Sequence, residues 1–109
     1  MAGAQEFVEQ KIKEKKVTIF VKTWCPYCVK AMKVFKELIN NGDLDKSDYE
    51  EVDIENLKDV KCGDIQDYMA QKTGARSVPR CFINANFIGG GDDVVRLNSQ
   101  KKLATMLKS

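Results

Sequence analysis

Cys25 and Cys28 bracket Pro26-Tyr27 just downstream of the apolar, β-branched run Val17-Thr18-Ile19-Phe20-Val21. No other feature restricts the fold as tightly. The run is short and flanked by Lys16 and Lys22, which fits a buried central strand better than a helix. Pro26 suits the first position of a helix, where its missing N–H leaves nothing unsatisfied. Cys28, Met32, Phe35 and Leu38 or Ile39 then share one helical face, and Lys30, Lys33 and Lys36 occupy another. Cys25 therefore stands where the carboxyl end of a strand meets a helix N-terminus. The unpaired N–H groups and dipole charge of that terminus lower a thiol pKa. Lys22 adds positive charge. Cys28, one turn further in, is expected to be more buried and less acidic, which assigns attack to Cys25 and resolution to Cys28.

The remaining pattern frames this unit. Ala4, Phe7, Val8 and Ile12 repeat at helical spacing and predict a first helix ending near Lys15-Lys16. Asn40-Asn41-Gly42 ends the helix that Pro26 begins, and Tyr49–Ile54 reads as a second strand, completing a βαβ unit. Ile65, Tyr68 and Met69 predict a helix from about Asp59 to Gln71, with Gly74 beyond its end. Cys81-Phe82-Ile83 and Phe87-Ile88, separated by Asn84-Ala85-Asn86, read as a hairpin closed by Gly89-Gly90-Gly91. Asp92 is expected to cap a short helix through Val94, Val95 and Leu97, and Ser99 a last one carrying Leu103, Met106 and Leu107. The order α-β-α-β-α-β-β-α-α predicts an α/β fold with helices on both faces of a small mixed sheet.

At 109 residues the chain is expected to be a single domain, spanning 1–109, with a core of its own. Eighteen Lys and Arg against 16 Asp and Glu leave +2, too little field to suggest nucleic acid or a membrane surface. The absence of histidine removes imidazole catalysis and imidazole metal ligands. Met1–Glu6 carries no leader pattern and no apolar run approaches a membrane span, so the expectation is the cytosol.

Four cysteines in a cytosolic chain point to redox chemistry or metal binding rather than to a disulfide framework. Cys62 and Cys81 form no second short-spaced pair, so zinc is disfavoured and no metal ligands are assigned. Cys81 lies in a strand pattern and reads as a core thiol. Cys62, near a helix start, reads as an exposed thiol open to glutathionylation or intermolecular disulfides. Iron–sulfur binding by Cys25 and Cys28, alone or shared between subunits, stays open at this point.

Three motifs in order carry a resemblance: Lys22-Thr23-Trp24-Cys25-Pro26-Tyr27-Cys28, then Thr73-Gly74-Ala75-Arg76-Ser77-Val78-Pro79-Arg80, then Ile88-Gly89-Gly90 with Asp92-Asp93. Together they resemble a dithiol glutaredoxin, over about Glu6 to Leu107. The resemblance implies a thioredoxin fold with a four-stranded sheet and thiol–disulfide exchange with glutathione as co-substrate, no cofactor being tightly bound. Its implied partners are glutathionylated and disulfide-containing proteins, with glutathione reductase acting indirectly on oxidised glutathione. By similarity, Lys22, Gln66 and Arg76 hold the glycine carboxylate of glutathione, and Val78, before a cis Pro79, pairs with its cysteinyl backbone. Gly90, Gly91, Asp92 and Asp93 receive the γ-glutamyl end, and Tyr27 lines the groove beside the sulfur. Trp24 is more typical of thioredoxins. The alternatives are therefore a thioredoxin-like protein disulfide reductant and an iron–sulfur-binding glutaredoxin dimer. With no heptad and no long apolar stripe, the expected state is a monomer.

Overall fold

The computed structural model describes residues 2–108. Met1, at the head of the leader reading, and Ser109, the last residue of the expected domain span, lie outside the described residues. In chain order the elements are α1 (Ala2–Glu14), β1 (Val17–Val21), α2 (Pro26–Asn40), β2 (Tyr49–Asp53), α3 (Cys62–Thr73), β3 (Arg80–Ile83), β4 (Asn86–Gly89), α4 (Gly91–Ser99) and α5 (Lys102–Leu107). The strands form one sheet in the order β2-β1-β3-β4. β1 is parallel to β2 and antiparallel to β3, and β4 is antiparallel to β3.

β1 is buried along its whole length because it is central and covered on both faces. Val17, Ile19 and Val21 enter one core with Ala31, Phe35 and Leu38 of α2, Val94 of α4, and Leu103 and Leu107 of α5. Phe20 enters the other with Ala4, Val8 and Ile12 of α1 and Ile65, Tyr68 and Met69 of α3. That alternation is the period-2 geometry of a strand with apolar layers above and below. Thr18 is the buried polar residue of the core, and its hydroxyl donates to the Lys11 carbonyl at 3.2 Å. Phe20 and Phe82 meet edge to face at 5.7 Å, each fully buried ring contributing about 1.5–3 kcal/mol. α1 is also tied to α3 at Glu9, which accepts from the Tyr68 hydroxyl at 2.6 Å and pairs with Lys72 at 2.8 Å.

β2 ends at Asp53 rather than Ile54, β3 starts at Arg80 rather than Cys81, and α3 runs on to Thr73; other boundaries differ for a visible reason. α3 begins at Cys62 rather than near Asp59: Asp53 holds the chain in a turn by accepting from Glu55 N–H at 3.1 Å and from the Asn56 side chain. Asn86 belongs to β4, because Asn84 and Ala85 both adopt positive φ, 51° and 66°, and make a two-residue connection. The residue capping α4 is Gly90, with Asp92 inside the first turn. Ser99 ends α4 and donates to the Arg96 carbonyl, and α5 starts instead after Lys101 at φ 60°.

The register puts the chemistry-bearing loops at one edge. Val21 pairs with Asp53 and Phe20 with Arg80, so the exits of β1 and β2 and the entry of β3 lie together. Cys81 opposite Gly89 brings the end of β4 to the same edge.

Candidate active site

Cys25 is the residue capping α2, Pro26 is the first helical residue, and no side chain caps this end. Burial pushes the Cys25 thiol up. The backbone N–H groups of Cys28 and Tyr27, then the Cys28 thiol and the Lys22 charge, outweigh it and leave the thiol below its ordinary value. Cys28 is fully buried, and that desolvation, with the hydrogen bond to Cys25, pushes its thiol up to about 12. Two thiols one helical turn apart thus differ in the sense nucleophilic chemistry needs: an accessible, thiolate-prone sulfur and an enclosed, protonated one.

The Cys25 sulfur lies 4.0 Å from the Val78 carbonyl, and the Val78-Pro79 bond is cis. Beside it runs a cleft of about 300 Å³ lined by Tyr27, Ser77, Val78, Pro79, Arg80 and Gly90 through Asp93. Its two walls meet closely because residue 91 is glycine: a Cβ there would stand 2.7 Å from the Tyr27 carbonyl oxygen. Asp93 folds back to accept from Gly90 N–H at 2.8 Å and from Arg96 at 2.9 Å. Gly89, at φ 130°, leaves it the room.

Of the residues singled out in the sequence, Tyr27, Val78, Pro79, Gly90, Gly91, Asp92 and Asp93 are brought together in this cleft. Lys22, Gln66 and Arg76 lie outside its lining. Gln66 donates to the Arg76 carbonyl at 3.0 Å, and the exposed Arg76 guanidinium pairs with Asp67 at 2.9 Å. Asp92 is exposed and faces Lys30 at 3.9 Å. Cys62 is half-buried rather than exposed, its thiol donating to Gln66 Oε1 at 3.6 Å. Cys81 is a buried core thiol, pushed up by desolvation.

Sequence reasoning passed over Ser77 and Arg80. The Arg80 guanidinium lies 4.9 Å from the Phe87 ring centroid and donates to Thr73 and Ser77 hydroxyls, lacing the loop that carries Val78. The available signal was its position directly after Pro79. A larger hollow of about 640 Å³, lined by residues of α2, β2 and the loop between them from Lys36 to Glu51, carries none of the cysteines, so volume alone does not locate the chemistry. Among the described residues there is no group of three or more potential metal ligands, and no helix is long and apolar enough to cross a membrane.

Residues 17–88 match the family model described as Glutaredoxin. Glutaredoxin-1 of Homo sapiens is 45% identical over 106 residues, covering 96% of this chain and 93% of that protein. Oxidised glutaredoxin 2 from Chlamydomonas reinhardtii superposes with a TM-score of 0.84 at 36% identity, over 98% of this chain and 92% of that one. A buckwheat glutaredoxin–glutathione complex gives 0.82 at 32% identity, over 98% and 89%. The sheet and its covering helices are those of the thioredoxin fold these structures share. With family sequence from β1 to β4, that fold and the Cys25–Cys28 spacing, the chain belongs to the glutaredoxin family of glutathione-dependent thiol–disulfide oxidoreductases.

Proposed function

We propose that Cys25 is the attacking thiolate of this glutathione-dependent oxidoreductase and Cys28 its resolving thiol. The observation that carries the assignment is the placement of the two thiols, Cys25 at the open α2 start and Cys28 fully buried in the core, which displaces the first down and the second up. With a protein–glutathione mixed disulfide, the Cys25 thiolate attacks the glutathione sulfur and forms a Cys25–glutathione disulfide. The target leaves as a thiolate and takes up a proton. A second glutathione, as thiolate, attacks the glutathione sulfur on Cys25, releasing oxidised glutathione and restoring the Cys25 thiolate. That route uses Cys25 alone.

With a protein disulfide, Cys25 bonds one target sulfur and the other leaves. Cys28 then gives up its proton and attacks Cys25, releasing the second target thiol and forming the Cys25–Cys28 disulfide. Two electrons have passed to the target, and two glutathione molecules restore the pair. Oxidised glutathione is reduced elsewhere by an NADPH-dependent reductase, since this chain carries no dinucleotide fingerprint.

The cleft beside Cys25 is the glutathione site in this reading, and the buckwheat relative solved as a glutathione complex supports it. Val78 offers its backbone to the cysteinyl part, and Tyr27 borders the sulfur. Pro79 shapes the wall, and Gly90, Gly91, Asp92 and Asp93 receive the γ-glutamyl end. Lys22, Gln66 and Arg76 take the glycine carboxylate, Arg offering a planar donor pair and Lys a point charge. Arg76 must exchange Asp67 for the ligand, a small cost for an ion pair more than half exposed. The reading treats residues 1–109 as one domain acting as a monomer in the cytosol, where the glutathione pool is reducing.

The test is turnover of a small glutathione mixed disulfide, coupled to glutathione reductase and NADPH. Loss in Cys25→Ser with retention in Cys28→Ser is the expected result, and activity persisting in Cys25→Ser overturns the assignment.

A further inference from the structure

Trp24 is 67% exposed, more than any other large hydrophobic residue among those described, and it is the chain's single tryptophan. Its ring is nevertheless held in place. The indole N–H donates to Glu55 at 2.7 Å, and the Lys22 ammonium lies 5.8 Å from the ring centroid. Glu55 follows the exit of β2, which the register sets beside the exit of β1, and its own N–H donates to Asp53. The ring is thus fixed at the site while contributing little to the core. It does not line the cleft, so a ligand seated there meets the Lys22 ammonium beside the ring rather than the ring face.

A polypeptide joined to Cys25 by a disulfide has its half-cystine Cα within about 4.4–6.8 Å of the Cys25 Cα. The Trp24 Cα is about 3.8 Å from that same atom along the chain. The target backbone is therefore tethered over the residues flanking the thiol. Two exposed aromatic side chains stand there, Tyr27 on the cleft wall and Trp24 outside it. We propose that Trp24, held by Glu55 and Lys22, is the specificity contact for protein disulfide substrates, receiving an apolar side chain next to the target's half-cystine. The proposal rests on Cys25 as the attacking thiol. A rigid aromatic ring with a polar anchor buries large area at low entropy cost, which is why tryptophan is enriched among binding hot spots.

The experiment uses the full chain carrying Cys28→Ser, in which a mixed disulfide on Cys25 persists. With a tryptophan-free peptide bearing Leu beside its cysteine joined to Cys25, Trp24 emission shifts to the blue and acrylamide quenching falls. With glutathione alone joined there, quenching falls far less, because glutathione reaches the Lys22 ammonium beside the ring but lays no side chain on the ring face. In the Cys28-intact chain, Trp24→Ala lowers kcat/KM for insulin disulfides about tenfold, equal to ~1.4 kcal/mol. Turnover of the small glutathione mixed disulfide stays within about twofold, and Trp24→Phe restores most of the insulin activity. An unshifted emission in the peptide adduct overturns the proposal, as do equal losses on both substrates, which would make Trp24 a positioning residue for Lys22. Failure of any adduct to form at Cys25 overturns instead the attack assignment beneath it.

Discussion

The two helix starts that meet at the cleft use the same backbone in opposite ways. At α2 the N–H groups of Cys28 and Tyr27 serve the Cys25 thiol. At α4 the Gly90 N–H is taken by a resident carboxylate, Asp93. Asp93 is held below the ordinary 3.8, first by the Gly90 N–H and then by Arg96. Its contribution to stability is complete above the ordinary carboxylate value and is lost as pH falls through the depressed one. Cys25, lowered from the ordinary 9.0, follows the same sign far higher on the scale. Its thiolate stabilises the fold fully above the ordinary thiol value, and that part is lost as pH falls through the folded value. Oxidation to a disulfide removes it as well. The comparison teaches that orphan N–H groups make a permanent cap where the anion is resident, and a reactive group where the anion comes and goes.

The largest effect this predicts is selectivity between the thiols. Burial pushes the Cys28 thiol up to about 12, so it carries almost no thiolate at pH 7. A brief pulse of iodoacetamide followed by peptide mass mapping is expected to modify Cys25 at least ~10³-fold faster than Cys28 or the buried Cys81. Comparable labelling of Cys28 would remove the distinction between an open thiol and an enclosed one. The next effect is at the seam between the helix starts. Gly91→Val drives a side chain against the Tyr27 carbonyl, and overpacking of this kind costs about 1–3 kcal/mol. Thermal unfolding should fall by roughly 4–8 °C for each kcal/mol in a chain of this size. A variant melting with the wild type would mean that the seam does not depend on glycine.

The two starts were not equally legible in the sequence. The α2 start is specified locally: the β-branched run of β1, Pro26 at the first helical position and a thiol before it are neighbours in the chain. The α4 start is specified by a side chain reaching backward. Asp92 satisfies the simple capping pattern, yet Asp93 makes the bond, because it sits three residues beyond Gly90 and Gly89 leaves it room. Ser99 failed as a cap because it is the last residue of α4, its hydroxyl donating back to the Arg96 carbonyl, and α5 starts only after Lys101. Ser77 and Arg80 flank Val78-Pro79 in the chain, so their place was legible, but the Arg80 bonds to the Thr73 and Ser77 hydroxyls that lace the loop follow no local period. Likewise Asn84-Ala85 lacks the glycine that marks a two-residue turn, and Ala85 takes positive φ without it.

A smaller effect separates charge from hydrogen bonding at α4. Asp93→Ala removes the acceptor of Gly90 N–H and is expected to cost about 1 kcal/mol, whereas Asp93→Asn keeps an acceptor and loses less. Chemical denaturation from neutral to acid pH checks this. Both variants should lose the part of the wild-type decline that begins as pH falls through the depressed Asp93 value. If Asp93→Ala matches the wild type at every pH, the carboxylate is not a resident cap and the contrast with α2 fails.

The smallest effect is at Lys22. Its charge comes after the Cys28 and Tyr27 N–H groups and the Cys28 thiol among the influences that lower the Cys25 thiol. Its ammonium is also partly engaged with the Trp24 ring. Lys22→Gln should therefore move the midpoint of the pH profile for Cys25 alkylation upward only slightly, and Lys22→Arg should leave it near the wild type. The midpoint of Lys22→Gln must stay below that of an unperturbed thiol, because the N–H groups at the α2 start remain. A midpoint returned to the ordinary thiol range would mean that the side-chain charge, rather than the open helix start, makes Cys25 a thiolate, and the two starts would then differ in their neighbours and not in their design.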